Sequence, residues 1–263
     1  MVLKDISNIL NKNMIVSKIL SKFKNERPKI NPPYSVDQCI CCGSYSLEQS
    51  IILWEDLINE WELTETEVEY MNRQQGLRCL RCKANLRTMA LAYALMRNEN
   101  YRGLFKNFVK TRRIKSKKVL EVNEAGWLTQ YLQKLPLHYL AKYPEIDAQD
   151  MPFSDSSFDI IIHSDILEHI PNPDKAINEF FRILKPNGYC VFTVPMLVGK
   201  LSRSRAGLAP SHHGCGDQRT RDDYLVYTEF GTDMWERLTK VGFSEVRIYS
   251  LEFPAAQSFL CKK

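Results

Sequence analysis

The sequence predicts an α/β fold, a mostly parallel sheet with helices on both faces, preceded by a small cysteine-bearing and helical segment. Three observations carry this. Short apolar runs rich in Val, Ile and Phe recur after residue 118 and alternate with stretches of helical spacing, the pattern that builds a parallel sheet flanked by helices. Two C-x-x-C pairs lie in the first third of the chain. The length of 263 residues can bury a full α/β core and still carry an appended module.

Taken in order, Lys117-Lys118-Val119-Leu120-Glu121-Val122 reads as a first buried strand, and Gly126 to Leu132 as the helix after it. His138-Tyr139-Leu140-Ala141 is a weaker second strand. Phe158 to His163 and Tyr189 to Val194 are stronger ones. Between these two, Pro173 to Leu184 has helical periodicity, with Ile177, Phe180, Phe181 and Leu184 on its apolar face.

Composition excludes several classes. Hydrophobic residues make up 44% and charged residues 25%, ordinary for a soluble globular protein. No apolar run approaches the ~18–20 residues of a spanning helix, and the N-terminus lacks the pattern of a secretory signal. The expected compartment is the cytoplasm. The formal charge of +5 is concentrated in residues 1–33, where six Lys and one Arg face only Asp5 and Glu26. Nucleic-acid enzymes more often spread positive charge over a face of the fold. In this leader Ile6, Ile9, Leu10, Ile15, Ile19, Leu20 and Phe23 recur near helical spacing, and Pro28, Pro32 and Pro33 end the helix. A basic amphipathic helix of this kind docks on a protein surface or makes peripheral contact with an anionic membrane.

Residues 34–118 hold the two cysteine pairs. Cys39 and Cys42 are one C-x-x-C, and Cys79 and Cys82 are the other. Two such turns present four thiolates to one tetrahedral Zn²⁺, a zinc knuckle, and four thiolates leave no open catalytic position. Cys41 is a rival for the place of Cys39 or Cys42, and spare or redox-active thiols are the other reading of the pairs. Between them lies an acidic stretch, with Glu48, Glu55, Asp56, Glu60, Glu62, Glu65, Glu67 and Glu69 against Arg73. There Trp54, Leu57, Ile58 and Trp61 predict an amphipathic helix packed on the knuckle. After Cys82, Leu86 to Met96 has strong helix propensity, and Gly103 lies beyond its end. The remaining cysteines, Cys190, Cys215 and Cys261, are scattered and read as inert thiols.

Three runs in the α/β segment carry a family resemblance. Asp147-Ala148-Gln149-Asp150-Met151-Pro152-Phe153-Ser154-Asp155-Ser156-Ser157-Phe158-Asp159 matches D-a-x-x-l-P-F-x-d-x-s-F-D. Ile166-Leu167-Glu168-His169-Ile170-Pro171 matches v-L-E-H-i-P, and Arg182 to Gly188 matches R-v-L-K-P-G-G. In this order the chain from about residue 119 onward resembles the class I, Rossmann-like S-adenosylmethionine-dependent methyltransferases, and the knuckle-first arrangement resembles certain bacterial members. The resemblance divides the chain into a leader (1–33), a knuckle and helical linker (34–118) and a methyltransferase domain (119–263). It implies that Asp147 contacts the adenine, that Ala148 lies against the ring, and that Ser164 and Asp165 line the methionine end. Such ligands sit outside the carboxyl ends of parallel strands. The first cofactor loop departs from the family pattern. Glu121 supplies the acid, but Asn123, Ala125 and Trp127 stand where glycines alternate in the family, with Gly126 the nearby glycine. Past the second strand Lys142 occupies the neighbourhood of the ribose-binding acid, with Glu145 as a substitute.

The resemblance implies methyl transfer to a hydroxyl of a small molecule or sugar, as in bacterial surface-glycan biosynthesis. Residues 196–227 fall where the acceptor pocket is built, and Arg203, Arg205, His212, His213, Arg219 and Arg221 there could hold a phosphate or carboxylate. His169 is the first candidate for the general base. His212 and His213 are its rivals, and a packing or capping role is the alternative. The altered first loop motivates another reading, an inactive fold serving as a binding or scaffold protein. RNA methylation is a third, against which the acidic stretch argues.

Overall fold

The computed structural model describes residues 36–213 and 222–263. The leader helix expected over residues 1–33 lies outside the described residues, as do Cys215, Arg219 and Arg221. Among the described residues no helix is long and apolar enough to cross a membrane.

The strands are β1 (Leu47–Gln49), β2 (Leu77–Cys79), β3 (Val119–Val122), β4 (His138–Ala141), β5 (Phe158–Ser164), β6 (Leu184–Thr193), β7 (Met196–Leu197), β8 (Arg203–Ser204), β9 (Thr228–Gly231), β10 (Glu245–Leu251) and β11 (Ala256–Lys262). Six of them form the main sheet in the order β10-β11-β6-β5-β3-β4. Strands β4, β3, β5 and β6 are parallel, and β11 runs antiparallel between β6 and β10. This terminal antiparallel pair was not among the strands expected from sequence. Its alternation is broken at Tyr249-Ser250 and at Ser258, which weakens the two-residue period.

The helices are α1 (Glu55–Glu60), α2 (Glu65–Gly76), α3 (Leu86–Asn98), α4 (Phe105–Phe108), α5 (Arg112–Lys115), α6 (Thr129–Leu132), α7 (Pro173–Ile183) and α8 (Met234–Val241). The helix expected over 126–132 is broken into a 3₁₀ turn at Gly126–Leu128 and the single turn α6. Gly126 enters it in left-handed backbone, and Pro136 soon follows, disfavouring helical backbone before it. Helix α7 begins on Asn172, whose side chain accepts from Lys175 N at 3.1 Å, with Pro173 at the first position.

Because successive strand residues face opposite ways, the sheet has two cores. Ile160, Ile162, Val191 and Leu260 pack with Met89, Leu91, Ala92 and Leu95 of α3, and the same cluster contains the knuckle cysteines. On the other face Phe158, Ile161, Phe192 and Phe259 meet Ile177 and Phe180 of α7 and Leu238 of α8. Residues 36–118 and the sheet therefore share one continuous core. Helix α3 is buried on nearly every side, as a helix apolar all round must be, and Ser258 Oγ donates to Ala90 O at 2.9 Å.

The acidic stretch folds differently from expectation. Its helix ends early, since Glu62 takes left-handed backbone, and α2 restarts on a reciprocal cap between Thr64 and Glu67. Rather than resting on the knuckle alone, Leu57 and Trp61 pack with Leu86 of α3 and with Leu197 and Val226. Those last two belong to an insertion, residues 196–231, that carries the small sheet β7-β9-β8. Trp61 Nε1 donates to Ser211 Oγ at 2.9 Å. Arg205, buried at this junction, pairs with Glu229 and, at 2.6 Å, with Glu60. Arg203 also pairs with Glu229, at 2.7 Å.

Removing Arg205 leaves the carboxylate of Glu229, 4% exposed, without its closest cation. Because Arg203 still holds Glu229, Arg205→Ala is expected to lower unfolding stability by about 1.5–3 kcal/mol, read from the urea midpoint. A loss below about 1 kcal/mol would assign the pair the small weight of a surface contact.

Candidate active site and cysteine cluster

The two C-x-x-C turns are built alike. Gly43 N donates to Cys39 O at 2.7 Å and Cys39 N to Ser44 O at 2.9 Å. Lys83 N donates to Cys79 O, and Cys79 N to Ala84 O, both at 2.9 Å. In each the residue after the second cysteine, Gly43 or Lys83, takes left-handed backbone, turning the chain back so that both sulfurs face inward. Antiparallel pairing of β1 with β2 holds the turns together. The sulfurs of Cys39, Cys42, Cys79 and Cys82 all lie within 4.8 Å of one another, with Cys39 to Cys82 at 3.5 Å and Cys42 to Cys79 at 3.6 Å. Thiolates around zinc at ~2.3 Å stand about 3.8 Å apart, so the set fits a tetrahedral ion. Cys41 is buried beside this set and outside it. Burial works against ionisation of Cys79, but hydrogen bonds from the backbones of Cys82 and Arg81 and from its neighbouring thiols bring it down to about 7.

A second concentration of polar groups lies at the carboxyl ends of β3 and β5. Glu121, fully buried at the centre of β3, spends its carboxylate on the protein. One oxygen accepts from Ala125 N at 2.8 Å and Thr129 Oγ1 at 2.5 Å, and the other faces His138 Nε2 at 2.7 Å. It thereby shapes the loop after β3. Asn123 and Gly126 both take left-handed backbone there, with φ of 48° and 56°. Asn123 Oδ1 accepts from Tyr143 N at 3.0 Å, tying this loop to the one after β4. Trp127 is exposed and does not fill the loop. A Cβ on Gly126 would stand 2.9 Å from Thr88 Oγ1, so the first turn of α3 lies directly against this loop.

Asp147 is half-buried and folds into a tight turn, its Oδ1 accepting from Gln149 N at 2.8 Å. Ala148 is buried in the core of the α7 face. Past β4, Lys142 and Glu145 are both exposed, and Lys142 pairs with Glu124. Ser164 Oγ meets Thr193 Oγ1 at 2.8 Å, joining the ends of β5 and β6. Asp165 follows in left-handed backbone and pairs with Nη1 of Arg87, from the first turn of α3. Among the described residues the buried Nε and Nη2 atoms of Arg87 have no hydrogen-bond partner, and neither do the two oxygens of Glu168.

His169 stands in a 3₁₀ turn after β5. Its Nδ1 donates to Leu225 O at 3.0 Å, so Nε2 carries the lone pair. Its ring meets that of His213 edge-on at 5.6 Å, while His213 packs against Trp61 at 4.9 Å. His212 pairs instead through its backbone with Leu225. Burial, with the charge of Asp165 adding to it, pushes the Glu168 carboxyl well above its ordinary range. Burial also lowers His169 and takes His213 down to about 3. Of the insertion's basic residues, Arg203 and Arg205 are taken up by Glu229 and Glu60.

Residues 117–192 match the family model described as a methyltransferase domain. Over these residues the chain is similar to a methyltransferase domain. An uncharacterized methyltransferase of Mycobacterium sp. (strain KMS) is 30% identical over 83 residues, covering 32% of each chain. An uncharacterized protein of Haemophilus influenzae is 47% identical over 55 residues, 20% of this chain and 22% of that one. A solved S-adenosylmethionine-dependent methyltransferase from Methanosarcina mazei has 14% identity over 57% of this chain and 93% of its own, with a TM-score of 0.36. The chain spans about a third of the length of the first curated relatives it matches.

Sequence reasoning missed three members of the methyltransferase domain's polar edge. His138 read only as part of a strand. Glu168 lay inside a quoted motif without a role, and Arg87 lay in the helical linker. Only Arg87 had a local signal, a cation in the first turn of a helix whose middle, Met89 to Met96, is apolar. A separate polar hollow of about 360 Å³, lined in part by Arg97, Glu99, Lys117, Tyr189 and Arg247, lies at the opposite, amino-terminal ends of the parallel strands.

The cysteine geometry predicts one thiolate-bound zinc per chain. Elemental analysis of protein purified under reducing conditions should find it, and Cys82→Ser should lose it with a fall in solubility. Less than about a tenth of an equivalent in the wild type would remove zinc from the cluster.

Proposed function

We propose that the protein transfers the methyl group of S-adenosylmethionine to a hydroxyl of a small molecule or sugar, in a surface-glycan pathway. The observation that carries the reading is the buried polar edge at the ends of β3 and β5, where Arg87 keeps two guanidinium nitrogens without partners. A buried guanidinium in that state fits an anionic group, and a carboxylate matches its fork. Arg87 would hold the carboxylate of the cofactor's methionine moiety, beside Ser164 and Asp165. Asp147 and Ala148 would take the adenine. Asn123 and Gly126 would bring backbone near the cofactor, with Glu121 acting behind them to hold the loop. Their left-handed backbones are those that glycines would supply, which supports cofactor binding over an inactive scaffold.

When bound, S-adenosylmethionine supplies an electrophilic methyl on a sulfonium. The acceptor oxygen forms the new C–O bond as the C–S bond breaks, its electron pair remaining on sulfur and the hydroxyl proton leaving. Alignment supplies much of such catalysis, and the lone pair of His169 Nε2 is where activation of the hydroxyl rests. The acidic α1 and α2 beside the insertion favour a small acceptor over nucleic acid.

Calorimetry with S-adenosylmethionine or its demethylated product should show binding. Asp147→Ala should weaken it about ten-fold or more, as for a charge-assisted hydrogen bond of ~1.5–3 kcal/mol; Arg87→Met should do likewise. Absence of binding to the wild type would favour the scaffold reading instead. His169→Ala should cut turnover about a hundred-fold with cofactor affinity held within about three-fold; near-normal turnover would reject His169.

A further inference from the structure

Methyl transfer as described above uses His169 alone among three donors that converge after β5. Glu168 and His169 are adjacent in the 3₁₀ turn, and His213 arrives from the insertion. One ligand atom from each lies within 4.8 Å of the other two, and His169 Nε2 stands 3.7 Å from Glu168 Oε1 without a hydrogen bond between them. Ligands held at ~2.1 Å around a tetrahedral cation are about 3.4 Å apart, so the donors need little movement to share an ion.

The state of Glu168 is the independent observation. Its side chain is 1% exposed, and among the described residues neither oxygen has a hydrogen-bond partner. A buried carboxylate in that state is strongly unfavourable unless a proton or a cation neutralises it. The Arg87 charge acts on it only at a distance, because Nη1 is engaged by Asp165 and its other nitrogens make no hydrogen bond to Glu168. The histidines favour a cation. His169 donates its Nδ1 hydrogen to the Leu225 carbonyl, the outer contact that fixes a metal-binding tautomer and aims Nε2 inward. The ring of His213 is held in place between Trp61 and His169.

We propose that Glu168, His169 and His213 form a second metal site, separate from the cysteine cluster, for a divalent first-row cation. Two imidazoles and one carboxylate suit manganese, iron, cobalt or zinc, and three protein ligands leave positions open to an oxygen ligand. The proposal rests on the hydroxyl-methylation reading only for the identity of that oxygen. An acceptor hydroxyl bound there gives up its proton to water more readily, so the lone pair of His169 acts through the cation.

The test uses the full chain with its cysteine cluster loaded with zinc and loosely held metal removed by a mild chelator. Titration with Co²⁺ is followed by absorption. The expected result is one further equivalent per chain, with weak visible bands and no thiolate charge-transfer band in the near ultraviolet. That equivalent should be lost in Glu168→Gln and in His213→Ala while cysteine-bound zinc stays unchanged, which reports that both variants fold. No cobalt uptake by the wild type, uptake only with thiolate bands, or a second equivalent surviving both substitutions overturns the site. Because neither turnover nor S-adenosylmethionine enters the measurement, its failure is distinct from a calorimetric failure of cofactor binding.

Discussion

Helix α3 is apolar on nearly all sides, so it is stable only when enclosed, and its burial against β6 and β11 ties the two halves of the molecule together. Its first residues follow directly on the second C-x-x-C turn. Its first turn then meets the loop after β3 through Thr88 and the end of β5 through Arg87. The cysteine cluster and the strand ends are therefore joined through one helix. A cluster of four thiolates, closed to chemistry itself, thus stands at the head of the helix that carries Arg87.

The buried charges divide into two kinds. Arg205 is matched by Glu229 and Glu60, and Arg203 shares Glu229. These groups fasten the insertion to the acidic helices and have little capacity left for a ligand. Arg87 and Glu168 are buried as deeply, and among the described residues two guanidinium nitrogens of Arg87 and both oxygens of Glu168 have no hydrogen-bond partner, against one nitrogen of Arg205. Since burying a polar group without a partner is costly, such atoms mark where the fold has given up stability, and those of Arg87, Asp165 and Glu168 lie near the carboxyl ends of the parallel strands, where ligands of such sheets bind.

The loop after β3 reaches a glycine-like course with few glycines. Asn123 accepts left-handed backbone at modest cost because a short polar side chain can bond locally, and its side chain then anchors the loop after β4. Glu121 holds the loop from beneath by accepting from Ala125 and Thr129. The departure at Asn123 is thus compensated by a side-chain hydrogen bond to Tyr143 N that a glycine there would lack.

Much of this protein was determined by sequence alone. Runs such as Phe158–His163 and Pro173–Leu184 declare their elements through local periodicity, and the C-x-x-C pairs declare themselves through spacing, because in both the relevant atoms are neighbours along the chain. The turn geometry that lets one ion reach four sulfurs also follows from residues within each knuckle. What only the tertiary structure decided are the meetings between distant segments. Neither Arg87 with Asp165 nor His213 with Glu168 and His169 has a sequence period, and Trp61 packs on the insertion, not on the knuckle alone. Burial governs whether a carboxylate such as Glu168 is solvated or orphaned, and burial depends on the packing of all the elements around it.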